Sequence, residues 1–507
     1  MTDPGDLGGG WRQGPPALMS TPSLQAPQPP PGRSKLPFLL ALLIAITLVG
    51  GGLWFVMIMP GNPWGQSGVA HSPDATPSPT TAAKASPSVT PSATPSATGS
   101  SPAPTPAATG STGPTAAASI DPAILAQIRA VMDEVPPIRG LTQLRDVPFR
   151  FITQDQFVQE FHEQFVAANP ADQLAAQQAL WQRLGLLKPT DDLSTDVQSL
   201  YESQVAAFYD PDTAEFTVVT RPGFTFGPED EVVVAHEFDH ALQDQHFGLK
   251  ATEVTDPTQG DRANAQLALT EGDATVLMVD WATEELSPTD LLGLASTSPS
   301  PADQQLLDSM PPILQRELLY PYLDGENFVL ALQGNGGWAA VDKAWGNPPT
   351  TTEQILHPQK YLDGENPVPI QLPDLAARLG AGWKASDTDT LGELVIGVWV
   401  ADGASTPSGI PGVPATLANA QAAAGWGEDR IVSLDGPNGR WAVAWQTDWD
   451  TATDATEFVA AGDAAMADLP FPHVVDKSSF AGELQSPVEV LLASDDATLS
   501  ELKAALR

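Results

Sequence analysis

Three of the chain's seven histidines fall in one short stretch, "VVVAHEFDHALQDQHF" at residues 232–247. Imidazole is the commonest metal-binding side chain, and a carboxylate beside it can act on a water molecule. On an α-helix turning 100° per residue, His236 and His240 lie roughly 40° apart on one face. They can converge on one tetrahedral metal, and Glu237 beside the first ligand can project towards a metal-bound water. The open question is the third protein ligand.

His246 is six residues after His240, the spacing of the metzincin pattern HExxHxxGxxH. That pattern uses a glycine to bring the last histidine round, and here the slot holds Gln243. On a continuous helix His246 points roughly 80° and 120° away from the other two histidines. The nearest candidate for a methionine turn, "DSMPPI" at 308–313, lacks the accompanying tyrosine. His246 is therefore expected at a helix end, where the dipole favours it. The competitor is Glu271, a carboxylate among mostly apolar residues of "ANAQLALTEGDATVLMVDWAT" at 263–283. Gly272 beside it would let two helix backbones approach closely. Asp273 stands nearly opposite Glu271 and is expected to be solvated, as is Asp239. Two histidines and one carboxylate leave a fourth position for water, the catalytic zinc arrangement. The ligand set read here is His236, His240 and Glu271, holding Zn2+.

The elements that must position these residues are legible in outline. "GPEDE" opens the histidine stretch, with proline and acids suited to a helix N-terminus, so a helix is expected over 228–247. Before it, "AFYDPDTAEFTVVT" at 207–220 reads as a strand, a tight turn at Asp210-Pro211-Asp212 and a second strand. Helical patterns precede that hairpin, in "DPAILAQIRAVMDEV" and "DQLAAQQALWQRLGLL". After about residue 371 the elements shorten, in "TLGELVIGVWV", "DRIVSL" and "RWAVAWQT", which suggests an α+β C-terminal part over 371–507.

Composition narrows the class. The 507 residues hold 62 acidic and 23 basic side chains, a net charge of −39. Such an excess repels phosphate backbones, so no nucleic-acid partner is expected. With no cysteine, disulfides, thiolate ligands and a cysteine nucleophile are excluded. The apolar run 36–59 carries no charge and is long enough to span a bilayer. Arg12, Arg33 and Lys35 precede it, and Lys84 is the one basic residue in 60–118. The expectation is a single transmembrane helix in the cell membrane with a cytoplasmic tail over 1–35 and everything after residue 59 outside. Residues 60–118, rich in Pro, Ser, Thr and Ala, form a linker that holds the globular part away from the membrane.

"HEFDHALQDQHF" followed by "ALTEGDA" resembles the gluzincin-type, thermolysin-like zinc metallopeptidases, and in particular a bacterial membrane-anchored branch of them. "FYDPDTAEFTVV" and "GGWAAVDKAWGNPPTTTEQILHPQKY" extend the resemblance over roughly residues 200–365. It implies an α+β fold, with a mainly helical zincin-like core and a small sheet over 119–370, followed by the C-terminal part. It also implies zinc on His236, His240 and Glu271, Glu237 as general base, and a polypeptide substrate. Where the thermolysin pattern has an aspartate four residues after the ligand glutamate, this chain has Thr275, and Asp244 is the candidate to support a ligand instead.

In that chemistry Glu237 takes a proton from the attacking water and passes it to the leaving amine, while a further donor faces the oxyanion. The candidates are His357 and Tyr322, then Tyr361; both tyrosines open a repeated hexapeptide, "YLDGEN", at 322–327 and 361–366. Thr350 with Glu353 reads as a capping box, so a short helix over 351–357 is expected to end at Pro358 with His357 at its end. The alternative is a non-catalytic, stalked binding or scaffold protein on a degenerate peptidase fold.

Overall fold

Asp121 caps the first helix of the described residues, its Oδ1 accepting from the Ala123 N–H at 2.9 Å. This helix, α1 (Pro122–Arg139), ends at Gly140 with φ of 81°, a left-handed conformation that glycine adopts without strain. The structure, a computed structural model, describes residues 121–204, 206–221, 223–296, 305–306, 309–401, 421–478 and 484–507. The tail, the apolar run 36–59 and the linker lie outside the described residues, among which no helix is long and apolar enough to cross a membrane.

Strand β1 (Phe149–Thr153) leads into α2 (Gln154–Ala168), α3 (Ala171–Leu184) and α4 (Leu193–Gln204). The hairpin follows as β2 (Ala207–Asp210) and β3 (Glu215–Thr220). β3 is the centre of a three-stranded sheet, pairing in parallel with β1 and antiparallel with β2. Helix α5 (Pro228–Phe247) has proline and three acids in its first turn and stops at left-handed Gly248. After the one-turn α6 (Leu249–Thr252) come α7 (Gly260–Glu285), α8 (Pro288–Ser296), α9 (Pro312–Gly336) and α10 (Trp338–Gly346). Valines 232–234 anchor α5 in a core shared with α1 and the small sheet.

Helices α7 and α9 cross at glycine on glycine. A Cβ on Gly272 would lie 2.3 Å from the Gly325 carbonyl carbon, and one on Gly325 would lie 2.3 Å from the Ala268 oxygen. The first "DGEN" is thus inside a helix, and its glycine serves packing and makes no turn.

Short helices α11 (Thr352–Leu356), α12 (Pro358–Asp363) and α13 (Leu375–Leu379) lead to β4 (Lys384–Asp389) and α14 (Gly392–Val400). The cap of α11 is Thr351, one residue later than expected, and Pro358 starts α12 where a stop was expected. The C-terminal part is completed by β5 (Trp426–Asp435), β6 (Trp441–Trp449), α15 (Ala452–Met466), β7 (His473–Lys477), β8 (Val488–Ala493) and α16 (Asp496–Leu506). Its five strands form an antiparallel sheet in the order β4-β5-β6-β8-β7. The whole is mixed α/β, mainly helical with two small sheets. One hydrophobic cluster joins Phe157 and Leu314 to Trp399, Trp426 and Trp445, so the core runs unbroken past residue 370.

Candidate metal centre

The period of α5 puts His236 and His240 on one face, and α7, packed against α5, brings Glu271 to them, while Gly272 beside it takes the close approach of α9. The three donor atoms form a small triangle. His236 Nε2 is 3.1 Å from Glu271 Oε2 and 3.2 Å from His240 Nε2, and His240 Nε2 is 3.5 Å from Glu271 Oε2. Tetrahedral zinc with ligands at about 2.0–2.1 Å would separate its donors by roughly 3.4 Å. These three residues could therefore hold one metal ion.

The group is closed off. His236, Glu237, His240 and Glu271 are each exposed by 1% or less. Burial raises the Glu237 carboxyl to about 8; Glu271 adds to the rise, while His240 and the Tyr209 N–H oppose it. Glu237 Oε2 accepts the Tyr209 backbone N–H at 3.0 Å, and Oε1 is buried without a hydrogen-bond partner. Burial works to raise the Glu271 carboxyl, but the neighbouring imidazoles outweigh it and hold the group at about 2. His240 is its counterpart, raised by Glu271 against the pull of burial, whereas burial dominates at His236 and lowers it.

Both aspartates expected in solvent are buried. Asp239 accepts from Gln243 Nε2 at 3.0 Å and lies 4.0 Å from Arg139 Nε. Asp273 receives Arg139 Nε at 2.7 Å and Nη2 at 2.8 Å, and Trp345 Nε1 at 2.8 Å. Arg139, fully buried at the end of α1, also reaches Asp342 at 2.8 Å and stacks on Trp338 at 4.4 Å. A guanidinium with two flat edges satisfies such a set where an ammonium could not.

Support for the ligands also differs from expectation. Asp244 binds the Tyr209 hydroxyl at 2.9 Å and Arg145 at 2.5 Å. The residue at His240 Nδ1 is Gln243, 3.0 Å away, in the slot where the metzincin pattern has its glycine. His246 contacts the Thr142 carbonyl at 2.7 Å at the end of α5 and is outside the donor group.

Of the oxyanion candidates, Tyr322 is brought to the site: one turn before Gly325 on α9, its ring lies 6.2 Å from that of His236. His357 Nε2 instead meets Glu393 at 2.9 Å, and the Tyr361 hydroxyl donates to the Asn347 carbonyl. A second carboxylate group, Glu353, Glu365 and Asp450, is centred on Lys360, whose ammonium lies 2.6 Å from each.

Fold and site together define a mixed α/β protein with a buried group of two histidines and one carboxylate on two helices packed together. Residues 378–487 match a family described as a domain of unknown function (DUF8575). That segment runs from the end of α13 to the residue before β8 and contains none of the four site residues. No curated protein and no solved structure matches the chain.

Proposed function

We propose that the chain is a zinc metallopeptidase with a zincin-like core, anchored by residues 36–59 and facing outward from the cell membrane. The observation that carries this reading is the donor triangle of His236, His240 and Glu271, sized for a tetrahedral ion, with Glu237 and its partnerless oxygen beside it. Zinc bound there would act as a Lewis acid on the scissile carbonyl and bring the pKa of water down to about 7.

The chain's own residues supply the rest. Glu237 takes a proton from the attacking water and returns it to the leaving amine. The Tyr209 N–H holds one Glu237 oxygen in place and leaves the other to do this. Tyr322 is the donor best set to face the developing oxyanion. β2 is an edge strand, but Ala207, Phe208 and Tyr209 are buried. A polypeptide substrate therefore reaches Glu237 only when the elements over the site part.

Zinc content of the purified full chain tests the ligand set. About one zinc per chain is expected, lost in His236→Ala and Glu271→Ala and kept in His246→Ala. Loss in His246→Ala with retention in Glu271→Ala would replace this reading with a three-histidine site. For the anchor, protease added outside intact cells should cut within 60–118 and spare 1–35; a mature N-terminus near His71 would mean a cleaved signal.

A further inference from the structure

Tyr209 meets α5 at two points. Its backbone N–H donates to Glu237 Oε2 at 3.0 Å, and its hydroxyl donates to Asp244 Oδ2 at 2.9 Å. Glu237 and Asp244 are seven residues apart on that helix, so they share a face two turns, roughly 10 Å, from each other. Tyr209 belongs to β2, the edge strand, where an outward N–H has no further strand to bond. Glu237 takes that N–H, and the grip on the hydroxyl fixes the other end of the residue. Asp244 is itself held. Arg145 Nη2 donates to the same oxygen at 2.5 Å, and Gln245 Oε1, next along α5, accepts the Leu144 and Arg145 N–H groups at 2.6 and 3.0 Å. Burial and the Asp244 carboxylate keep the Tyr209 hydroxyl protonated, and so a donor.

We propose, on the peptidase reading of the site, that Asp244 is a positioning residue for the Glu237 carboxyl and acts on it through Tyr209. A flat ring and two side-chain torsions separate the Tyr209 hydroxyl from its backbone, so a hydroxyl pinned to Asp244 limits where the N–H can sit. That N–H holds Oε2, which sets the direction of Oε1, the buried oxygen without a partner. A reacting group misplaced by about 1 Å loses rate on the scale of 100-fold. The support for ligand and base is thus divided between neighbours on one helix: Gln243 stands behind His240, and Asp244, through the tyrosine, behind Glu237.

The test reads the Tyr209 amide and the rate side by side. The chain has five tyrosines, so 15N-tyrosine labelling of the zinc-loaded full chain resolves a small set of amide signals, and the one absent in Tyr209→Phe belongs to Tyr209. Asp244→Ala is expected to speed hydrogen exchange at that amide by at least about tenfold, with the other tyrosine amides as they were. On a peptide that the native chain cuts, kcat should fall by at least about tenfold in Asp244→Ala and in Tyr209→Phe, with KM and zinc content unchanged. The double variant should lose no more than either alone, because both act on one link. If Asp244→Ala does not fold, Tyr209→Phe labelled with 15N-phenylalanine reads the same amide. An unmoved amide overturns the proposal, and so does a moved amide with native kcat. Equal cleavage by the native chain and Glu237→Gln is a different failure: it removes the peptidase reading, and the amide alone then decides whether Asp244 positions the carboxyl.

Discussion

Gln243 Oε1 lies 3.0 Å from His240 Nδ1, and the same amide donates to Asp239 Oδ2 at 3.0 Å and to the Thr270 carbonyl at 3.1 Å. The two Nε2–H bonds orient the amide, so Oε1 faces the ring and His240 Nδ1 carries the proton that meets it. That tautomer leaves the Nε2 lone pair free to point into the donor triangle.

Removing this support should loosen the metal without unfolding the chain. Gln243→Ala is expected to lower zinc affinity about 10- to 100-fold, the usual effect of losing a partner behind a ligand histidine. Competition with a chromophoric chelator measures it. An unchanged affinity would mean that the ring is held by packing alone.

Arg139 grips Asp273 with two nitrogens and stands against Asp239, so it links the middle turns of both ligand-bearing helices to α1. Arg139→Met leaves buried carboxylates without their counter-charge and should destabilise the fold by about 3–5 kcal/mol. Urea unfolding of the two chains gives the difference; a loss below about 1 kcal/mol would show that the aspartates find other partners.

Stability should fall as pH rises across neutrality. Burial raises the carboxyls of Asp261 and Glu428 to about 8 in the folded chain, against roughly 4 when unfolded. Between those values the native state binds more protons than the unfolded state, so unfolding free energy decreases with pH. For Asp261, whose oxygen accepts from Thr352 N–H at 3.0 Å, the substitution Asp261→Asn should flatten the slope between about pH 5 and 8. Urea midpoints across that range read it out, and a slope of opposite sign in the native chain would contradict the argument.

Much of the site was legible because it rests on local rules. Helical period alone put His236 and His240 on one face, and the single Gly272 in "ALTEGDA" pointed to a close helix crossing beside Glu271. Strand β1 was missed because a five-residue strand has little pattern of its own, and its pairing partner β3 is far along the chain. The burial of Asp239 and Asp273 was not legible either. Both look like solvated acids until Arg139, about 100 residues or more earlier in sequence, is folded against them. Gln243 could have been found, since a residue three positions after a helical ligand shares its face. His357 was drawn towards the site by its type; its partner Glu393 lies in a helix that no motif connected to it.

Whether the chain is a peptidase comes down to Glu237. A library of peptides derived from a whole proteome, incubated with the native chain and with Glu237→Gln, gives new termini to count, and zinc is measured in both. The substitution preserves size and removes the base, so zinc should stay while new termini fall by at least about 100-fold. Equal counts with zinc bound in both would contradict the account and make the buried group a structural centre in a binding protein.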